Sequence, residues 1–254
     1  MSTTIAMAGK GGTGKTTLAG MALKYLLTQG KKPILAVDAD SNSNLNEVLG
    51  LEINGTLGEA REEMKKGGMP GMTKDVFLEL KVNQALVEAD GYDLIIMGRP
   101  EGAGCYCAAN NLLASILEKL TSNYSYLVID NEAGMEHISR LTTKEIDVLY
   151  VVSDPSRRGL TAARRIWDLV DEMNIMVGRK YLIVNQLKGE ASPDLLAQIE
   201  KEGLTLAGII RADDEIYEYD QAGKPTFELD DRNPAVAQAF DIFARTMFDQ
   251  EGDD

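Results

Sequence analysis

The sequence has few of the residues that commonly cross-link small folds or bind metals: two cysteines and one histidine in 254 residues. Two cysteines cannot stabilise a fold of this size through disulfide bonds, which excludes the disulfide-rich secreted class. The chain also lacks an apolar run near the ~20 residues of a membrane-spanning helix, and its start, MSTTIAMAGK, lacks the basic and apolar regions of a signal peptide. We therefore expect a cytoplasmic protein.

Basic residues are scarce relative to acidic ones, with 26 Lys and Arg against 40 Asp and Glu and a net charge of −14. Such a surface repels phosphates, so we expect neither nucleic acid nor a membrane as a partner. The 44% apolar and 26% charged residues are typical of an ordinary globular protein. Because this length is about the largest that one hydrophobic core serves, we expect a single domain over residues 1–254.

Short apolar runs alternate with longer amphipathic segments along the chain. The runs are TIAMAG, PILAVD, YDLIIMG, YLVID, DVLYVVSD, YLIVNQ and LAGIIR. Most lack polar alternation, which is typical of strands buried on both faces. The alternation predicts an α/β fold, a doubly wound and mostly parallel sheet with helices on both faces. Residues 51–90, which are rich in Gly, Met and charged residues, fit this alternation of strands and helices least well. We interpret them as a helical or mobile insertion.

A nucleotide site is predicted by the segment GKGGTGKTT. Its residues are Gly9, Lys10, Gly11, Gly12, Thr13, Gly14, Lys15, Thr16 and Thr17. They satisfy G-x-x-x-x-G-K-[ST] between a predicted strand and a predicted helix, and such a glycine-rich loop turns successive backbone N–H groups towards an anion. Lys15 is expected to reach the β- and γ-phosphates, and the Thr16 hydroxyl to bind Mg²⁺. We therefore predict a P-loop ATPase domain that uses ATP/ADP and Mg²⁺.

Lys10 is not demanded by the general motif. A lysine at this place, in G-K-G-G-x-G-K-T-T, resembles the deviant P-loop family that includes nitrogenase iron protein, the cell-division and plasmid-partition ATPases, and the arsenite and tail-anchored-protein ATPases. In that family the extra lysine reaches across a dimer interface to the partner's nucleotide. The resemblance implies a face-to-face homodimer in which Lys10 acts in trans.

Acidic residues follow two of the predicted strands. VDADSNSN places Asp38 and Asp40 just past a strand end, where side chains can point into the site. The resemblance implies that Asp40 orients or deprotonates the attacking water. Asp38 either helps to order Mg²⁺-bound water or caps the next helix. LVIDNEAG places Asp130 at a second strand end, in a D-x-x-x-G arrangement that suits an outer-sphere Mg²⁺ contact.

Two residues are assigned to the nucleotide base. YLIVNQ ends near Asn185, and an amide there can pair with both the donor and the acceptor edge of adenine, as the resemblance also implies. IIRADDE places Arg211 beside the base, although many relatives have proline at that position.

Both cysteines, Cys105 and Cys107, lie in GRPEGAGCYCAANN, residues 98–111. In an extended or turn segment, side chains two residues apart share a face, and a helix predicted from about residue 108 would favour their thiolate form. The pair therefore suits a soft metal or redox chemistry. Thiolate-rich Zn²⁺ or Ni²⁺ sites commonly take four donors, so two chains would complete one site.

The loop, GCYC before a predicted helix, and DNEAGMEHISR together resemble the CooC-type nickel-insertion ATPases, which mature carbon monoxide dehydrogenase, and the related AcsF, associated with acetyl-CoA synthase. The resemblance covers essentially the whole chain. It implies an ATPase whose nucleotide-controlled dimer binds Ni²⁺, or Zn²⁺, at Cys105 and Cys107 and delivers nickel to such a client enzyme. His137 is either a structural histidine or part of the coupling between the two sites.

Two other functions remain open. An iron–sulfur electron-transfer ATPase like nitrogenase iron protein takes its ligands from two well-separated cysteines per chain, whereas this chain has one adjacent pair. A division- or partition-type positioning ATPase binds membrane or DNA, against which the acidic composition counts.

Overall fold

The computed structural model describes residues 2–40, 42, 44–69, 71–98, 115–131, 145–172 and 176–248. The described strands are β1 (Thr3–Gly9), β2 (Ile34–Ala39), β3 (Val87–Ala89), β4 (Tyr92–Ile96), β5 (Tyr126–Asn131), β6 (Glu145–Ser153), β7 (Met176–Leu187) and β8 (Leu206–Arg211). The described helices are α1 (Lys15–Thr28), α2 (Leu45–Leu49), α3 (Leu57–Lys65), α4 (Lys74–Ala85), α5 (described over 115–121), α6 (Arg157–Glu172), α7 (Pro193–Lys201), α8 (Asp214–Gln221) and α9 (Pro234–Thr246), with a 3₁₀ turn at Thr226–Glu228.

The strands form one sheet in the order β3-β4-β2-β5-β1-β6-β7-β8. All neighbouring strands are parallel except β3, which pairs antiparallel with β4 at the edge. The predicted fold class is confirmed, and each of the seven apolar runs contributes a strand. The short edge strand β3 was not predicted, because its three residues carry Glu88 at the centre and form no apolar run.

Both faces of the sheet are covered. Ile5 and Met7 belong to the core beneath α1, α2 and α9, whereas Ala6 and Ala8 belong to the core beneath α3, α4, α6 and α7. Successive side chains of a strand point to opposite faces, so residues 5–8 of β1 must all be apolar because they contribute to both cores. Among the described residues, no helix combines the length and the apolar character needed to cross a bilayer.

Residues 51–90 contain α3, α4 and β3. The first of these helices begins with a capping box: the Thr56 hydroxyl accepts from the Glu59 N–H at 3.2 Å, and the Glu59 carboxylate accepts from the Thr56 N–H at 2.8 Å. The N–H of Gly58 donates to the carbonyl oxygen of Met97 at 2.8 Å, which ties α3 to the residue that follows β4. The segment is thus held against the carboxyl end of the sheet.

Phe243 in α9 joins this helix to the sheet and to α1. It is fully buried, and its ring centroid lies 5.5 Å from that of Tyr150 in β6 and 5.9 Å from that of Tyr25 in α1. We expect Phe243→Ala to lower the free energy of unfolding by about 3–5 kcal/mol, measured by urea denaturation, because the cavity cannot close fully. Phe243→Leu, the control, keeps most of the volume, and an equal loss in both variants would contradict a role for the ring.

Candidate functional site

An open cleft of about 1490 Å³ lies at the carboxyl ends of the parallel strands. Nine of the predicted site residues line it: Gly11, Gly12, Gly14, Lys15, Thr16, Thr17, Asp40, Asn185 and Arg211. The central strand β1 is flanked by β5 on one side and by β6 on the other. The strand order reverses there, and open α/β sheets bind ligands at such a switch point.

The loop between β1 and α1 depends on glycine at both ends. A Cβ on Gly9 would lie 2.3 Å from the carbonyl oxygen of Val152, and a Cβ on Gly14, whose φ is 86°, would lie 2.4 Å from Nδ2 of Asn185. Neither position accepts a larger residue without movement of its neighbour. Because α1 starts at Lys15, directly after Gly14, its N-terminal end faces the cleft, as anion binding requires.

The two lysines of the loop, Lys10 and Lys15, differ in their contacts and in their exposure to solvent. The Thr13 hydroxyl donates to the Lys10 carbonyl oxygen at 2.9 Å, and the Lys15 ammonium donates to the same oxygen at 3.3 Å. Lys15 is only 7% exposed, whereas the side chain of Lys10 is exposed. Lys15 thus lies where phosphates would bind, and Lys10 is accessible to a second molecule. The Thr13 side chain is buried, so only its backbone can face a ligand.

Two carboxylates lie side by side below the loop. Asp38 in β2 pairs in register with Asp130 in β5, and both are at most 1% exposed. Burial raises the pKa of Asp38 to about 6, with a further rise from the charge of Asp40 and an opposing effect of backbone hydrogen bonds, that of Leu45 first. Burial likewise raises the pKa of Asp130 to about 7; the Thr16 hydroxyl opposes this rise and the charge of Asp38 adds to it.

Asp38 makes the contacts of a helix cap. Its carboxylate accepts from the backbone N–H groups of Asp40 and Leu45, each at 3.0 Å, so it fixes the turn between β2 and α2. The sequence placed Asp38 just past the strand, but β2 continues to Ala39, which pairs with Asn131, so only Asp40 lies beyond it. The role of Asp38 in ordering Mg²⁺-bound water stays a prediction.

The surroundings of Asp130 fit a magnesium ion. Its Oδ1 is buried and has no hydrogen-bond partner within the described part of the chain, and the Thr16 hydroxyl lies close enough to the carboxylate to oppose the rise of its pKa. A hydroxyl next to two carboxylates is an oxygen-rich donor set of the kind that Mg²⁺ takes. Thr16 and Asp130 would hold the ion, whose charge would neutralise the buried carboxylates.

The predicted base contacts lie on the other side of the loop. Asn185 is 9% exposed, and its Nδ2 donates to the carbonyl oxygen of Thr13 at 2.9 Å. Strand β7 does not end there but runs to Leu187, with a register shift against β8. Arg211 ends β8, and its backbone N–H donates to the side chain of Gln238 at 2.8 Å. Both residues border the cleft, and their contacts with adenine remain predictions.

The sequence did not predict two further amides: Gln186, which lines the cleft, and Asn131, which is buried beside Asp130. Asn131 is fully buried and donates from Nδ2 to the carbonyl oxygen of Met7 at 2.9 Å. Gln186 donates from Nε2 to the carbonyl oxygen of Gly12 at 3.2 Å. Asn131 directly follows Asp130, and Gln186 directly follows Asn185. Two consecutive polar residues near the end of an apolar run are the signal by which the sequence could have indicated them. Helix α8 also lines the cleft, through Ile216 and Tyr217, and no sequence pattern indicated that.

The predicted metal-binding residues Cys105 and Cys107 lie outside the described residues, as does His137. Within the described ranges, no group of three or more His, Cys, Asp or Glu side chains could hold a metal ion.

Residues 4–227 match the CobQ/CobB/MinD/ParA nucleotide-binding domain family. The chain belongs to this family. An uncharacterised ATP-binding protein of Methanocaldococcus jannaschii is 43% identical over 244 residues, which cover 94% of this chain and 96% of the relative. The carbon monoxide dehydrogenase accessory protein CooC of Rhodospirillum rubrum is 31% identical over 241 residues, 89% of each chain. The solved MinD cell division protein of Aquifex aeolicus has a TM-score of 0.68 and 24% identity over 97% of both chains.

Membership of this ParA/MinD-type ATPase family accounts for the arrangement of the cleft. ATP or ADP with Mg²⁺ are typical cofactors of the family. The glycine loop, the buried lysine and the carboxylates beneath them are the parts such a cofactor needs.

The raised pKa of Asp130 predicts that the stability of the protein falls as pH rises towards neutrality. This pKa is about 7 in the folded protein against an ordinary value of 3.8, so the folded state binds more protons between those values. The free energy of unfolding therefore falls as pH rises through that range. Asp130→Asn removes this loss. Without nucleotide, the free energy of unfolding of the variant relative to that of the wild type is therefore expected to rise by about 1–3 kcal/mol from pH 5 to pH 8.

Urea unfolding at both pH values measures this gain. Asp241→Asn, at an exposed position of α9, is the matched control. A difference between Asp130→Asn and the wild type that stays constant with pH would show that Asp130 carries no such penalty.

Proposed function

We propose that this ATPase is a metallochaperone. It forms an ATP-dependent homodimer, binds nickel through Cys105 and Cys107 of each protomer, and delivers the ion to carbon monoxide dehydrogenase or acetyl-CoA synthase. The observation that carries the proposal is the C-x-C pair formed by the only two cysteines, in a chain 31% identical to a carbon monoxide dehydrogenase accessory protein. The chain has a single histidine, and these two cysteines are its only thiol ligands for a soft metal ion.

The nucleotide half of the proposal is supported by the two lysines of the loop. Lys15 lies within the loop and Lys10 is exposed beside it. In the proposed cycle ATP closes the dimer and Lys10 reaches the nucleotide of the partner. Asp40 directs the attacking water: it lines the cleft, and its Oδ1 accepts from the N–H of Asn42 at 2.8 Å, which orients the carboxylate.

The metal half requires two protomers. One chain supplies two thiolates, and a four-donor site for Ni²⁺ or Zn²⁺ needs the pair from each chain. Dimer closure by ATP then completes the site, and hydrolysis weakens it so that the ion leaves towards a docked client. Such coupling is reciprocal, so bound metal must tighten nucleotide-dependent dimerisation by the same factor.

A physical connection between the two halves is supported by the residues after β4. The N–H of Met97 donates to the carbonyl oxygen of Asp38 in β2 at 2.8 Å. This hydrogen bond joins the residue just before the cysteine segment, residues 98–111, to the strand that carries one of the two buried carboxylates. A Cβ on Gly98 would lie 2.6 Å from Cβ of Thr56, at the start of α3. A shift of β2 on nucleotide binding would therefore be passed to the start of the cysteine segment.

Metal binding tests the proposal directly. In Cys105→Ser/Cys107→Ser the thiolates are replaced by hydroxyls of similar size, so we expect stoichiometric Ni²⁺ binding to be lost while ATP affinity is unchanged. Equilibrium dialysis under anaerobic conditions measures the metal, and calorimetry measures the nucleotide. Undiminished Ni²⁺ affinity in this double variant would show that Cys105 and Cys107 do not bind nickel.

Dimerisation tests the role of Lys10. In Lys10→Ala we expect the monomer to bind ATP normally but the ATP-dependent dimer to weaken about tenfold to a hundredfold, as for loss of a charged hydrogen bond. Analytical ultracentrifugation with and without Mg·ATP measures the dimer, with Lys201→Ala, an exposed lysine at the end of α7, as the control. If Lys10→Ala dimerises as the wild type does, Lys10 does not act in trans.

The fold shared with the MinD cell division protein favours a second candidate, a positioning ATPase. Such a protein needs a surface for membrane or nucleic acid, which the net charge of −14 opposes. ATP-dependent co-sedimentation with anionic liposomes or with DNA, unaffected by loss of both cysteines, would replace the metallochaperone proposal with this one.

A further inference from the structure

Gln186 has a backbone conformation that is unfavourable for its residue type. Its φ is 61°, and among the described residues no other non-glycine residue has a positive φ. A residue with a Cβ loses free energy in this left-handed region, and such a conformation persists only where the surroundings require it. Gln186 lies in the part of β7 where the pairing with β8 shifts register, between Val184 and Leu187.

The bulge brings two consecutive side-chain amides to the same loop. Asn185 donates to the carbonyl oxygen of Thr13 at 2.9 Å, and Gln186 donates to that of Gly12 at 3.2 Å. In a regular strand these two side chains would point to opposite faces of the sheet. The register shift and the positive φ of Gln186 let both reach one side, as β-bulges near functional sites commonly do.

These contacts fix the direction of the phosphate-binding N–H groups. A trans peptide is planar, and its C=O and N–H point in opposite directions. The carbonyl of Gly12 belongs to the same peptide as the N–H of Thr13, and the carbonyl of Thr13 to the same peptide as the N–H of Gly14. Amides that hold the two carbonyls on the β7 side therefore turn the two N–H groups away from β7, into the loop that surrounds an anion.

We propose that Gln186 is a positioning residue of the phosphate-binding loop. It holds the peptide between Gly12 and Thr13 in the orientation that receives the phosphates of ATP, at a cost in backbone conformation. This role of Gln186 concerns nucleotide binding alone and does not depend on whether the protein binds a metal ion at its cysteines.

The test separates stability from affinity. Asn tolerates the left-handed region better than Gln and keeps the amide, but its side chain is one methylene too short to reach Gly12. For Gln186→Asn we therefore expect the Kd of Mg·ATP to rise about threefold to tenfold, the range for loss of one hydrogen bond, with an unchanged or higher melting temperature of the nucleotide-free protein. Gln186→Gly is expected to behave in the same way, because glycine adopts this φ freely.

Calorimetry with Mg·ATP and with inorganic triphosphate, together with thermal melts, measures these effects. Gln84→Asn, at an exposed position of α4 outside the cleft, is the matched control. An equal rise in Kd for ATP and for triphosphate supports the proposal, since triphosphate has no base. An unchanged Kd for ATP overturns it, and so does a loss confined to ATP, which would assign Gln186 to the base. All measurements are free of nickel, so their outcome is independent of the metal proposal.

Discussion

The peptide groups of the loop from Gly9 to Lys15 must turn their N–H groups towards one point, and the surrounding structure depends on that constraint. Each N–H turned inward leaves a carbonyl turned outward, and a carbonyl near a packed sheet needs a donor. Side chains from other parts of the chain supply such donors: Gln186 to Gly12 and Asn185 to Thr13. The sheet order, which places β7 near the loop, is what makes this possible.

Below the loop, the structure accepts an electrostatic cost that a nucleotide-bound cation would relieve. Asp38 and Asp130 are buried next to each other, and burial raises the pKa of both. Replacement of a buried carboxylate by a neutral group commonly stabilises a protein at the expense of its function. The strained backbone of Gln186 is a second cost of the same kind. In both places stability is given up for a site that is organised before its ligand arrives.

The proposed coupling of nucleotide and metal follows from how β2 and β4 end. The carbonyl of Asp38 binds the N–H of Met97, so the strand that carries one of the buried carboxylates is tied to the chain that leads to Cys105 and Cys107. Helix α3 is tied to Met97 in turn through Gly58. In the proposed cycle, a charge change at the nucleotide would reach Gly98, the first residue of the cysteine segment, through these hydrogen bonds.

The sequence alone determined the fold class and most of the nucleotide cleft. Apolar runs buried on both faces predicted seven strands. The glycine loop and Asp40 directly follow two of these strands, and Asn185 lies just before β7 ends at Leu187; the sequence could indicate them because these signals are local. Only the tertiary structure decided that Asp38 lies within β2 and caps α2, that α8 borders the cleft, and that Gln186 supports the loop. The bond from Gln186 to Gly12 joins residues 174 positions apart. No local pattern encodes such a contact, because it arises only when the sheet brings β7 beside the loop.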